Sequence, residues 1–108
     1  MTKTLLEQLI EFYQEDPQDP FNIYGLAMEY LKTDVGKSIH FFDELLGNHP
    51  NYLPTYYQAA ELHVSLNNFD KALEIYLVGI KLAKLFGQNK VEMELLSAYR
   101  NLLEELED

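Results

Sequence analysis

Three histidines, His40, His49 and His63, are the residues best suited by type to hold a metal or move a proton near neutral pH. A helical metal site needs ligands one turn apart on one face. The steps here are 9 and 14 residues, so no two histidines pair in that way. The chain has no cysteine, which removes thiolate ligands, thiol nucleophiles and disulfides. No glycine-rich phosphate loop follows a strand, and neither a catalytic-serine nor a zinc-hydrolase motif is present. The expectation is therefore no catalytic residue, no metal and no cofactor. His63 falls at a packing position, His49 in an exposed turn beside Pro50, and His40 on a solvent face.

Acids outnumber bases 18 to 8, for a net charge of −10. Such a balance excludes nucleic acid as a partner, because phosphate neutralisation by lysine and arginine supplies most of that affinity. It favours solubility and permits steering of a basic partner. No stretch reaches the roughly 18 apolar residues of a membrane span. The N-terminal "MTKTLLEQLIEFYQEDP" has glutamates in its apolar run and no signal-peptide core. A soluble, cytoplasmic protein is expected, with no membrane partner. Apolar residues make up 47% of the 108, an ordinary globular composition that suits one domain.

The apolar periodicity is helical along nearly the whole chain. Leu5, Leu6, Leu9, Ile10, Phe12 and Tyr13 form a first stripe, opened by a Thr4/Glu7 capping box and closed at Asp16-Pro17. Asp19 caps a second helix, with Pro20 at its first position. Asp34 caps a third, which ends around Gly47–Pro50. A fourth starts near Leu53-Pro54 and fades at Asn67-Asn68. A fifth runs from Phe69 to about Phe86 and stops at Gly87, a residue suited to a left-handed C-terminal position. Asn89 and Glu92 offer a capping pair for a last helix, which reaches about Leu106.

The chain also repeats itself. Tyr24 and Tyr57 lie 33 apart, as do Ile23 and Tyr56, Leu26 and Ala59, Ala27 and Ala60, Tyr30 and His63, and Pro17 and Pro50. Beyond the turn the offset becomes 34, matching Val35 with Phe69, Ser38 with Ala72, and Phe42 with Tyr76. A helix-turn-helix period of this length, with small residues at Ala27/Ser38 and Ala60/Ala72, resembles the tetratricopeptide repeat (TPR) family. The resemblance implies an all-α fold of antiparallel helix-turn-helix repeats in a right-handed superhelix, about six helices in all. Residues 1–108 are then a single TPR-like domain. In it, 4–17 is the helix of an incomplete repeat, 20–50 and 51–84 are two full repeats, and 89–107 is a closing helix. Ile23 and Tyr56 stand where the family often has tryptophan, His63 replaces an aromatic, and Ser38 replaces the usual alanine. Lys84 replaces a repeat-ending proline, so the fifth helix is expected to run long. The short format resembles bacterial members.

By the same resemblance, the first helix of each repeat lines a concave groove that holds a peptide. The outward positions are Phe21, Tyr24, Met28 and Leu31 on the second helix, and Tyr57, Glu61 and Val64 on the fourth. This set is mostly apolar and aromatic, with one acid. It implies a non-catalytic scaffold or regulatory module whose partner is a protein or peptide, neutral or basic, with apolar anchors. Lysines and asparagines of a carboxylate clamp are absent, since the matching places hold Tyr24, Met28, Gln58 and Glu61; acidic chaperone tails are therefore not expected to bind. Two alternatives stay open. A closing helix folded over the groove would make Tyr24, Met28 and Tyr57 plain core, and pairing through the terminal helices would give a structural homodimer.

Overall fold

Side-chain caps or prolines set where the first four helices begin. In the computed structural model, which describes residues 2–107, the helices are α1 (Leu5–Glu15), α2 (Pro20–Tyr30), α3 (Val35–Asn48), α4 (Pro54–Ser65), α5 (Phe69–Leu85) and α6 (Asn89–Glu107). There is no strand among the described residues, so the all-α class and the six helices are as the periodicity predicts. The Thr4 hydroxyl accepts from the Glu7 amide, and the Glu7 carboxylate accepts from the Thr4 amide, which completes the capping box. Asp19 accepts from Phe21 N–H ahead of Pro20, and Asp34 accepts from Lys37 N–H. The expected Asn89/Glu92 cap does not form in that register, because Asn89 is already the first residue of α6.

Two helices end in the same way on different residues. At the end of α4 the Asn68 amide donates to the His63 carbonyl (2.8 Å) and the Asn67 amide to the Val64 carbonyl (3.0 Å). At the end of α5, Gln88 donates to Ala83 (2.8 Å) and Gly87 to Lys84 (3.1 Å). Both are Schellman motifs, which need one left-handed residue. Gly87 takes φ 68° at no steric cost, and Asn67 takes φ 61°, which asparagine tolerates better than most.

The chain divides into two compact units, Met1–Tyr52 and Leu53–Asp108. In the first, α2 packs against both α1 and α3. Its buried residues are Ile23, Leu26 and Ala27 from α2 and Ser38, Phe42 and Leu45 from α3. At the α2–α3 crossing the Ser38 hydroxyl donates to the Ala27 carbonyl at 2.6 Å, in a fully buried position. Ala27 contributes one of the last four carbonyls of α2, which a helix end leaves without an internal partner. Serine is thus small enough for the close approach and also supplies the missing donor. The Asn22 side chain does a related job for α1, donating to the Phe12 and Asp16 carbonyls. Tyr13 meets Phe41 edge-on at 5.4 Å, and Tyr30 stacks on Phe41 at 5.9 Å. Tyr30 and His49 are half-buried, and for His49 this departs from the exposed turn the sequence predicts.

In the second unit α5 lies against both α4 and α6. Ala60 on α4 and Ala72 on α5 are completely buried, and Tyr56, Ala59, Ile75, Tyr76 and Ala83 are buried with them. His63 is also buried, at the packing position its place in the repeat predicts, and its Nδ1 lies 3.4 Å from the Asn68 side-chain nitrogen. The 17 residues of α5 exceed the 14 of α3, as the missing proline at Lys84 implies. One close approach is at a residue the repeat comparison does not single out. A β-carbon on Gly79 would sit 2.7 Å from the Tyr56 β-carbon and 3.0 Å from a Leu95 methyl. The obstructing Tyr56 atom adjoins the backbone and cannot swing away.

Gly79→Ala therefore sets two effects against each other. Alanine gains about 1 kcal/mol of helix propensity, while overpacking costs about 1–3 kcal/mol. Net destabilisation is expected, read as a lower melting temperature; a melting temperature at or above that of the parent chain would mean that α4 and α6 do not press on this point.

Candidate functional site

Residues facing outward on α4 are placed by the ones facing inward. With Tyr56, Ala59, Ala60 and His63 committed to the core, the helical period turns Tyr57, Glu61 and Val64 to one side. These three line a cavity of about 570 Å³ together with Tyr76 from α5 and residues from α6. The α6 wall is made by Met93, Glu94, Ser97, Ala98, Asn101, Leu102 and Glu105. Leu95 and Leu102 anchor α6 in the core, which turns Glu94, Ser97, Asn101 and Glu105 along its flank toward the space. The closing helix is a wall of this groove and not a lid over it. Tyr57 keeps 37% of its surface exposed, while Tyr76 keeps 1%.

The electrostatics of the groove centre on Glu61. Its carboxylate shares the cavity wall with Tyr57 and Tyr76, and its charge raises the pKa of both phenols. Their rings meet edge-on, with centroids 6.5 Å apart. The Glu61 charge is the main cause that raises the Tyr57 pKa above the ordinary phenol value, helped by burial and by Glu94. Burial is the main cause for Tyr76, followed by the Glu61 charge. Three carboxylates, Glu61, Glu94 and Glu105, line the cavity, and no lysine, arginine or histidine does so among the described residues.

In the first unit the predicted residues form a less open surface. Phe21 is highly exposed, while Tyr24, Met28 and Leu31 are half-buried. Tyr24 is held by its neighbours, edge-on to Phe42 at 6.4 Å and tilted against Tyr52 at 5.7 Å. Burial, and next the Tyr52 phenol, raise its pKa. Sequence reasoning missed the contribution of Tyr76, which reads as core, and the whole α6 wall. The signal for the wall lies in the sequence: Glu94, Ser97, Asn101 and Glu105 recur at helical spacing beside the buried leucines.

Among the described residues no cluster of three or more histidine and acidic side chains is placed to hold a metal. No helix among them is long and apolar enough to cross a membrane.

Paired helices with small buried residues, and a cavity faced by α4, define a helical-repeat protein. A tetratricopeptide repeat domain protein from Salinibacter ruber, solved in solution by NMR, superimposes with a TM-score of 0.77 at 38% identity, covering 81% of this chain and 89% of that one. A crystal structure of a tetratricopeptide repeat domain protein from the same organism gives 0.72 at 36% identity, over 78% and 94% of the two chains. The crystal structure of MamA shares the fold, with a TM-score of 0.64 at 19% identity over 94% of this chain and 67% of that one. No protein-family model matches the sequence, and no curated protein does. At the identity and coverage of the Salinibacter ruber domain, the chain belongs to the tetratricopeptide repeat family.

Tyr57 and Tyr76 make the electrostatics measurable. Their raised pKa values mean the folded state holds the phenol protons more tightly than the unfolded state, whose phenols titrate near 10.0. The resulting stabilisation is complete below pH 10 and is lost as pH climbs through the folded values. Denaturation midpoints are expected to stay flat up to that point and then fall. Glu61→Gln should lower the pKa of Tyr57 and of Tyr76, read by phenolate absorbance; unchanged titration in that variant would disprove the coupling.

Proposed function

We propose that this protein is a non-catalytic, cytoplasmic interaction module, with a scaffolding or regulatory role, that holds a segment of a partner protein in the α4–α6 groove. The observation that carries the reading is the open cavity faced by Tyr57, Glu61 and Val64, with apolar wall residues such as Met93 beside them. Tyrosine brings broad contact area with a polar tip, and methionine adapts to irregular partners. The lining carboxylates favour a neutral or basic segment with apolar anchors. In the first unit, Phe21, Tyr24, Met28 and Leu31 offer a second apolar surface for such anchors.

Partner capture by the wild-type chain, followed by amide-shift mapping of the captured segment, tests this. Tyr57→Ala combined with Met93→Glu should abolish capture, while stability changes by only about 1 kcal/mol, as expected for partly exposed positions. Capture that survives the double substitution, or shifts that avoid α4 and α6, would refute the groove.

A specific observation also supports a second reading, self-association. No residue of α1 is fully buried, and Leu5 and Phe12 remain 55% and 50% exposed on its surface. Sedimentation across a concentration series decides the matter. Pairing through α1 predicts a dimer that Phe12→Glu dissolves, and a monomer at every concentration removes this reading.

A further inference from the structure

We propose that the exposed face of α5, formed by Leu77, Val78, Lys81, Lys84 and Leu85, receives α1 of a second copy of this chain. The inference rests on the self-association reading and names the surface that takes α1 and the chemistry that holds it. It does not involve the α4–α6 groove.

Charge is segregated along the chain. Residues 4–31 carry six acids and no lysine or arginine, while residues 75–91 carry three lysines and no acid. In a chain of net charge −10, the second stretch is a place where an acidic surface meets attraction and not repulsion.

Both stretches also leave apolar side chains in solvent. With Ala72, Ile75, Tyr76, Gly79 and Ala83 buried, the helical period turns Leu77, Val78, Lys81, Lys84 and Leu85 to the opposite side of α5. Leu77, Val78 and Leu85 keep 45%, 43% and 74% of their surface exposed. On α1, Leu5 and Phe12 share an exposed stripe with Glu15. Leu5 and Phe12 are two turns apart, as are Val78 and Leu85, about 10.5 Å at helical rise in each case. The two apolar pairs therefore match in spacing.

The charges that would meet are not used within the chain. Glu7 caps Thr4, and Glu11 pairs with Lys3. Glu15 and Asp16 form no ion pair and stand at the C-terminal end of α1, where the helix dipole disfavours an anion and the last turn holds no base. Among the described residues Lys81, Lys84 and Lys90 form no ion pair either; those that form are Lys3 with Glu11 and Lys32 with Glu29. Laid parallel to α5, α1 brings Glu15 and Asp16 to the end that carries Lys84. Laid antiparallel, it brings them toward Asp70 and Glu74, which repel them. Pairing α1 with another α1 opposes two acidic surfaces, a costly arrangement. An 11-residue helix is about 16 Å long, so the contact is small and the association weak.

Sedimentation of the full chain, taken to its highest soluble concentration, tests this with two variants and their mixture. Phe12→Glu spoils α1 and leaves α5 intact; Leu85→Glu does the reverse. Each alone should associate at least about tenfold more weakly than wild type, the worth of one buried apolar side chain. An equimolar mixture of the two should recover association, because one intact α1 then meets one intact α5. Glu15→Lys and Lys84→Glu, both at exposed positions, repeat the logic without touching apolar packing. Each alone should weaken association up to about fivefold, and their mixture should restore it. Raising the salt should weaken the wild-type contact. Unchanged melting temperatures show that the variants fold, and the charge pair decides the matter if Phe12→Glu does not. A wild-type chain that stays monomeric throughout overturns both this inference and the self-association reading. Wild-type-like association of Leu85→Glu and of Lys84→Glu, or mixtures no stronger than their components, overturns the α5 site alone and leaves pairing through α1 standing.

Discussion

Two helices can pack at short distance only where the side chains between them end almost as soon as they leave the backbone. Both units depend on that constraint. In one, Ala27 meets Ser38, and the serine hydroxyl reaches the Ala27 carbonyl across the crossing. In the other, Ala60 and Ala72 vanish from the surface entirely, and Gly79 lets α5 approach Tyr56 where even a methyl group would collide. Larger residues interlock around these points, so that Phe42, Tyr76 and Leu45 are buried by the pairing and do not impose it.

The same constraint makes the surface. Once Tyr56, Ala59, Ala60 and His63 are drawn inward, α4 has no freedom left to choose which residues face outward. Tyr57, Glu61 and Val64 are presented as a consequence, and α6, pinned by Leu95 and Leu102, presents its polar flank in turn. The groove is thus the outer side of the core. Changes in the core are expected to be felt in the groove, although none of the core residues apart from Tyr76 and Leu102 lines it.

Charge gives the groove its character. A net charge of −10 spread over a small surface is unremarkable as an aid to solubility. Three carboxylates along one cavity, with no basic side chain lining it among the described residues, are a more particular arrangement.

Much of the fold was legible in the sequence because its causes are local or periodic. Thr4 and Glu7, Asp19 and Pro20, Asp34 and Gly87 act within a turn or two of themselves, and each marks a helix end where expected. The small residues declare the crossings because they recur at a fixed offset. What depends on contacts between distant segments was not legible. Ser38 looks like a departure from alanine until the Ala27 carbonyl is seen opposite it. Gly79 looks like a weak point in a helix until Tyr56 and Leu95 are placed against it. Tyr76 belongs to the core by burial, yet it also lines the cavity with Glu61, a residue 15 positions away. The sequence alone determined the helices, their pairing and the family. Only tertiary structure decided that α6 walls the groove and leaves it open, because the angle at which a terminal helix docks depends on the full shape of the core beneath it, and no repeat pattern encodes that shape.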